Sequence, residues 1–299
     1  MIPPGLYPAM VTPFDEKGRV DFAGVARLLA GFEAAGCQGA VLAGTNGEGP
    51  SLSATEKRDL IAQTQSSAGT MIRILGISTP SLEEARWSCR RAAESGAQAV
   101  LLMAPGYFRS APESGIRDWF LRVLDDSPVG VLVYNFPKMT GFTMSPDFLA
   151  SLAAHPQFWG AKDSSGESGN LIAYRQAVGP EKSLFVGDET LLIEALEAGW
   201  SGSISGASNS VPEWLSQIVR EWQEGSPPRR ESAETKFALL RSLIMRLRAS
   251  AQPGTHKAIL QRRGWIDSAR LRLPLVEPDP SLIDEIVREL GHRLGMRFG

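Results

Sequence analysis

The chain has 299 residues, 43% of them hydrophobic and 21% charged, which excludes a disordered or fibrous polypeptide and allows a large core. Its formal net charge of −2 offers no basic field for nucleic acid, and no apolar run is long enough to span a membrane. The two cysteines, Cys37 and Cys89, are too few for a disulfide framework and read as buried thiols in a reducing compartment.

Along the chain, short apolar runs alternate with amphipathic stretches. Leu6 to Val11 is the first run, closed by Thr12-Pro13. A helix follows from Asp21 to Ala35 and stops at Gly36. Ala40 to Ala43 is the second run, and its helix opens with a capping box, Ser53 with Glu56. Met71 to Leu75 is the third, and its helix opens with the same pattern, Ser81 with Glu84. Ala99 to Met103 is the fourth, with a helix near Ser114 to Leu124. Val129 to Tyr134 is the fifth, and its helix starts at Ser145 with Pro146 in the first position. Phe158 to Lys162, Ser183 to Val186 and Gly202 to Ser205 complete the runs. Their helices fall near Leu171 to Ala177, Leu191 to Ala198 and Pro212 to Trp222.

Eight strand–helix alternations predict an α/β fold, a (β/α)8 TIM barrel. A doubly wound open sheet is the structural rival, but no GxGxxG or Walker sequence accompanies these strands, and the eight units are even. Gly225-Ser226-Pro227-Pro228 interrupts the pattern. The expected organisation is a catalytic barrel over 1–225 and a C-terminal helical extension over 226–299, packed on the barrel or on a neighbouring subunit. The N-terminus lacks the basic and apolar regions of a signal peptide, so a cytoplasmic location is expected. His155, His256 and His292 have no metal-ligand spacing, and no metal is expected.

Active sites of such barrels lie at the C-terminal strand ends. Here those ends carry Gly44-Thr45-Asn46-Gly47-Glu48-Gly49, Pro105-Gly106-Tyr107, Tyr134-Asn135-Phe136-Pro137, Lys162, Gly187-Asp188-Glu189 and Ser205 to Asn209. Lys162 is the most informative of them. It closes a buried strand, where lost hydration disfavours an ammonium, and a neutral amine condenses with a ketone to an imine. A lysine so placed also has a plainer use, snorkelling to the surface or pairing with a carboxylate. Tyr134 alone reads as a core tyrosine, and Thr45 alone as a turn residue. Their shared location with Lys162 favours Schiff-base chemistry, with the phenol moving protons and the turn offering N–H groups and a hydroxyl to a carboxylate.

At these motifs the chain resembles the dihydrodipicolinate synthase / N-acetylneuraminate lyase family of Schiff-base pyruvate aldolases. Gly44 to Glu48 is similar to the family's G-[ST]-x-G-E turn, Tyr134 to Pro137 to its Y-N-x-P, and Gly160 to Ser165 to its G-x-K-[DE]-x-[ST]. The resemblance implies that Lys162 forms an imine with C2 of pyruvate or another 2-oxo acid, and that no separate cofactor is used. It implies that Tyr134 shuttles protons through Thr45 to Tyr107, the latter reaching in from an adjacent subunit. It places the pyruvate carboxylate on the Thr45-Asn46 turn, Ile204 beside Lys162 and Gly187 in the turn after strand seven. It also implies a homotetramer built as a dimer of dimers.

Two positions depart from dihydrodipicolinate synthase itself: Asn46 stands where that enzyme has threonine, and Met139 where it has an arginine that grips a carboxylate. Methionine cannot do so, and Lys138 offers only a point charge. The G-x-N-G-E form is more similar to the 4-hydroxy-2-oxoglutarate and 2-keto-3-deoxy sugar acid aldolases of the family, and this resemblance implies reversible cleavage of a 2-oxo-4-hydroxy acid of those types to pyruvate and an aldehyde. The alternatives are dihydrodipicolinate synthase proper (pyruvate plus aspartate semialdehyde), a 2-keto-3-deoxy sugar acid dehydratase, and a barrel that binds a 2-oxo acid without turnover. A sugar-phosphate enzyme ranks lower, because Asp188 and Glu189 would repel a phosphate after strand seven.

Overall fold

The computed structural model describes residues 1–299. In chain order its elements are β1 (Gly5–Pro8), α1 (Phe22–Ala34), β2 (Gly39–Leu42), α2 (Ala54–Gln63), β3 (Ile72–Ile77), α3 (Leu82–Glu94), β4 (Ala99–Met103), α4 (Glu113–Asp126), β5 (Gly130–Asn135), the single turn α5 (Pro137–Thr140), α6 (Pro146–Ala153), β6 (Phe158–Asp163), α7 (Gly169–Val178), β7 (Ser183–Val186), α8 (Leu192–Glu197), β8 (Gly202–Ser205), α9 (Pro212–Glu224), α10 (Pro227–Ala249), α11 (Gly254–Arg262) and α12 (Pro280–Leu294). All eight strands are parallel, in the order β1-β8-β7-β6-β5-β4-β3-β2. The sheet closes on itself at β1 and β2. Ala9 bridges Val41, and Gln38 N donates to Leu6 O at 3.0 Å. The result is the (β/α)8 barrel that the alternation predicts.

Strand periodicity divides the core in two. Side chains such as Tyr7, Val41, Leu101, Leu132 and Phe185 point inward and fill the barrel. Their neighbours Leu6, Leu42, Val100, Val131 and Leu184 point outward and pack beneath the helices. Gly160 is required by this closure. Its φ of +147° and the closeness of the Ser183 carbonyl leave no room for a side chain at the β6–β7 contact.

The helix starts follow their caps. Ser53 and Glu56 form the full reciprocal box at α2. At α3 only half of the expected box forms. Ser81 accepts from Glu84 N at 3.2 Å, but Thr79 takes both the Ser81 N–H and the Glu84 carboxylate, because its hydroxyl lies between them. After β5 the chain makes α5 before the expected helix, a turn absent from the periodicity because Pro137 to Thr140 carries no amphipathic signal. The first expected strand is also longer than the pairing, which covers Gly5–Pro8 plus the single bridge at Ala9.

Beyond the barrel, α9 ends at Gly225 in a left-handed cap, and α10 runs back along it. Phe237, Leu240, Leu243, Ile244 and Leu247 of α10 join the outer core of the same chain. In α11, Thr255, His256 and Lys257 are fully buried. No helix is long and apolar enough to cross a membrane.

Candidate active site

Tyr134 and Lys162 stand opposite each other in the β5–β6 register. Both point into the barrel at the C-terminal ends of their strands, Tyr134 one inward position beyond Leu132. Tyr134 is 5% exposed and Lys162 6%. The Lys162 Nζ sits 4.3 Å from the centroid of the Tyr134 ring, within the range of a cation–π contact. The nearby carboxylates are all engaged elsewhere, Asp163 by Asn135 and Ser165, Asp188 and Glu189 by Arg248, and Glu48 by Lys257. Lys162 is thus neither a snorkelling surface lysine nor half of an ion pair.

A cavity of about 730 Å³ opens above this pair. Thr45, Asn46, Lys138, Met139 and Gly187 all lie on its wall, together with Lys162 and Tyr134. Gly187 is needed there. A Cβ at that position would come 2.7 Å from Lys162 Cε and would collide with Ser164 Oγ. Ile204 and Thr45 stand otherwise than expected, and Tyr107, expected to act from an adjacent subunit, does not line this chain's own cavity. Ile204 is fully buried in the barrel interior and is absent from the cavity wall. Tyr107 is 83% exposed, stacked edge-on against Phe108 in the loop after β4 and away from the cavity. Thr45 makes no side-chain bond to Tyr134; the phenol oxygen instead accepts from Ser164 Oγ at 3.2 Å. The relay from Tyr134 through Thr45 to Tyr107 is not assembled within one chain.

Immediately behind the pair lies a buried polar network. Period two sends Asn135 and Asp163 to the outer side of the same strand ends, again in register. Asn135 Nδ2 donates to Asp163 Oδ1 at 2.8 Å and to the Tyr174 oxygen at 3.0 Å. Asn135 Oδ1 accepts from Met144 N at 3.0 Å, and Asp163 also accepts from Ser165 N and Oγ and from Asn170. Burial pushes the Tyr174 phenol pKa up, and the Asp163 charge pushes it further, so it stays a donor, to Met144 O at 2.5 Å. These bonds tie the ends of β5 and β6 together just outside the two residues that face the cavity.

A model of the dihydrodipicolinate synthetase family matches residues 3–292. The chain belongs to that family. The 4-hydroxy-tetrahydrodipicolinate synthase of a Cyanothece species is 32% identical over 290 residues, 96% of this chain and 97% of the relative. A solved dihydrodipicolinate synthase from Acinetobacter baumannii, complexed with pyruvate, superposes with a TM-score of 0.92 at 26% identity, covering 99% of this chain and 100% of that one. A monomeric dihydrodipicolinate synthase variant superposes with a TM-score of 0.91 at 26% identity, covering 98% and 97%. This member of the dihydrodipicolinate synthetase family is accordingly a class I carbon–carbon lyase.

What sequence reasoning missed in this family member comes from the C-terminal helices. Arg248 of α10 reaches the cavity rim and pairs with Asp188 at 2.8 Å and Glu189 at 2.7 Å. Burial would raise the Glu189 carboxyl pKa, but Arg248, the Ala207 N–H and the Ser205 hydroxyl outweigh it and hold the carboxyl below its usual value. The turn after β7 is therefore less repulsive to anions than Asp188 and Glu189 suggest by themselves. At the turn after β2, Glu48 takes a left-handed conformation with φ 53° and is buried. Its carboxylate accepts from Lys257 Nζ and, at 2.9 Å, from Arg272 N. Lys257 Nζ also lies 4.0 Å over the Phe14 ring. No spacing rule links residue 48 to residue 257, so only the folded chain reveals that pair.

Proposed function

We propose that the chain is a pyruvate-dependent aldolase that cleaves and forms a 2-oxo-4-hydroxy acid through an imine on Lys162. The observation that carries this reading is the buried, unpaired Lys162 amine over the ring of Tyr134 in an accessible cavity. In cleavage, Nζ attacks the C2 carbonyl and water leaves to form the imine. The C4 hydroxyl gives its proton to Tyr134, the C3–C4 bond breaks, and its electrons flow into the imine. An aldehyde departs, the enamine takes a proton at C3, and water hydrolyses the imine to pyruvate and free Lys162. No further cofactor is needed, because the iminium is the electron sink. The Thr45-Asn46 turn supplies the carboxylate contact in this reading.

Borohydride added with pyruvate should leave a stable adduct on Lys162, read by intact mass. No mass gain, or an equal gain in Lys162→Ala, would defeat the proposal. A second reading is condensation of pyruvate with aspartate semialdehyde, favoured by the names of the relatives. The rim favours the first. Met139 is half-exposed there and carries no charge, and Arg248 is already bound by two carboxylates. Pyruvate release from a panel of 2-oxo-4-hydroxy acids, with the semialdehyde condensation assayed beside it, separates them.

The exposed Tyr107–Phe108 pair supports assembly with further copies, in which Tyr107 enters a neighbour's cavity. Tyr107→Ala should then lower both the assembly state in sedimentation and the rate. An unchanged sedimentation profile and rate would remove Tyr107 from the site.

A further inference from the structure

Gly206 follows β8 and lies on the cavity wall. Its backbone sits at φ −75° and ψ −45°, a region open to any residue. The missing side chain is therefore not a backbone requirement. A Cβ built there would lie 2.7 Å from Asn46 Nδ2, 3.4 Å from Gln252 Oε1 and 3.6 Å from His256 Nε2. Three polar atoms, one from the turn after β2 and two from the entry to α11, converge on the space this glycine leaves open.

Each of the three is presented for a partner. Gln252 spends its amide nitrogen on Leu247 O at 2.9 Å, which turns Oε1 toward the space. His256 is fully buried, and its Nδ1 is held by Ser210 Oγ at 2.8 Å. Its Nε2 is buried and has no hydrogen-bond partner. A buried ring nitrogen left without a partner is destabilising until something meets it. Burial also pushes the His256 pKa down to about 4, so the ring is neutral: Nε2 donates when Ser210 Oγ donates to Nδ1, and accepts when Ser210 Oγ accepts from Nδ1. The chemistry is specific. Asn46 donates, Gln252 accepts and His256 does either, which suits a hydroxyl group, itself both donor and acceptor. A carboxylate would face the Gln252 oxygen, and an alkyl group would leave all three unpaired.

We propose that the space beside Gly206 is a hydroxyl-binding subsite formed by Asn46, Gln252 and His256, which selects polyhydroxylated substrates. It rests on the reading of Lys162 as the imine-forming residue and deepens it. Gly206 lies two strands round the barrel from Lys162, about 10 Å by strand spacing. It therefore serves the aldehyde-derived part of the acid, beyond the carbon bound to lysine.

The test is competition for Lys162 during borohydride trapping, which needs no turnover. Carbon-13-labelled pyruvate is the reporter, so that any pyruvate released by cleavage is distinguished by mass. The competitors are a six-carbon 3-deoxy-2-oxo sugar acid and 2-oxohexanoate, which differ only in hydroxyls. In the wild type the sugar acid should displace pyruvate at a concentration about ten-fold or more below that of 2-oxohexanoate. In Gly206→Ala, whose methyl fills the space, the two acids should come within about threefold. The ratio is taken within one preparation, so a general loss of imine formation cancels. If Gly206→Ala takes up no pyruvate, Gln252→Met is scored in its place. No preference in the wild type, or a preference kept in the scored variant, overturns the subsite. Absence of any pyruvate adduct in the wild type overturns the reading of Lys162 instead.

Discussion

Replacing Lys257 by methionine should cost this protein a large share of its stability. The Glu48 and Lys257 side chains are both fully buried. Without Lys257, the Glu48 carboxylate keeps only the Arg272 N–H at 2.9 Å and the pull of the unbonded Arg272 guanidinium, already paired with Glu56. Leaving a buried charge uncompensated costs about 3–5 kcal/mol. Lys257 also donates to Arg270 O at 2.8 Å, a bond worth about 1 kcal/mol. The sum, roughly 4–6 kcal/mol, approaches the total stability of an ordinary domain, about 5–15 kcal/mol. Glu48→Gln alone leaves a buried ammonium and should cost a similar amount. The double variant Lys257→Met/Glu48→Gln removes both charges and should recover at least about 2 kcal/mol relative to the sum of the singles. Urea unfolding of the four proteins, followed by far-ultraviolet circular dichroism, measures the cycle. Glu48 anchors the turn that carries Thr45 and Asn46, so Lys257→Met should also raise the pyruvate concentration needed for half-maximal borohydride trapping. A cost below about 1 kcal/mol for Lys257→Met, or strictly additive singles, would refute the argument.

Further outcomes follow from the same geometry. Gly187→Ala should slow pyruvate trapping roughly 100-fold, because the methyl displaces Lys162 Cε by a distance on the order of 1 Å; a rate within threefold of wild type would contradict it. Asn135→Leu strips a donor from buried Asp163 and leaves the Met144 N–H unpartnered, and should destabilise by about 2–4 kcal/mol in thermal or urea unfolding. Acid should weaken the fold in two windows. His256 has an ordinary pKa of 6.5 and about 4 when folded. The unfolded chain therefore binds a proton the folded one refuses, and stability falls between pH 6.5 and 4 by roughly 3 kcal/mol. Glu56 is held at about 2 by the hydrogen bond from Arg272. Its contribution is complete above pH 4.5 and lost as pH falls from 4.5 to 2. Unfolding midpoints against pH check both, with His256→Gln flattening the first window and Glu56→Gln the second; unchanged curves would show that these groups do not titrate as described.

The barrel and its chemical centre were legible because they rest on short-range rules. Apolar runs of strand length, glycine stops and caps such as Ser53 with Glu56 are local, and they carry the element order directly. Period two, once the strands are placed, sends Tyr134 and Lys162 to one side and Asn135 and Asp163 to the other. The motifs were therefore readable as strand ends before any contact was known. Local rules failed where a neighbouring hydroxyl displaces a carboxylate at one donor, as Thr79 displaces Glu84 at the Ser81 N–H, and where an inward strand residue is buried in the barrel rather than set on the cavity wall, as for Ile204.

Sequence alone determined the (β/α)8 class, the gathering of Lys162, Tyr134 and the Thr45 turn at one mouth, and the family to which they belong. Tertiary structure decided everything contributed across large separations. Arg248 tempers Asp188 and Glu189, Lys257 neutralises Glu48, and Gln252 with His256 meets Asn46 beside Gly206. The physical reason is that helical periodicity shows only that α10 and α11 have a buried side. Which strand end that side covers depends on how the closed barrel packs with α10 and α11, and no local pattern encodes the outcome.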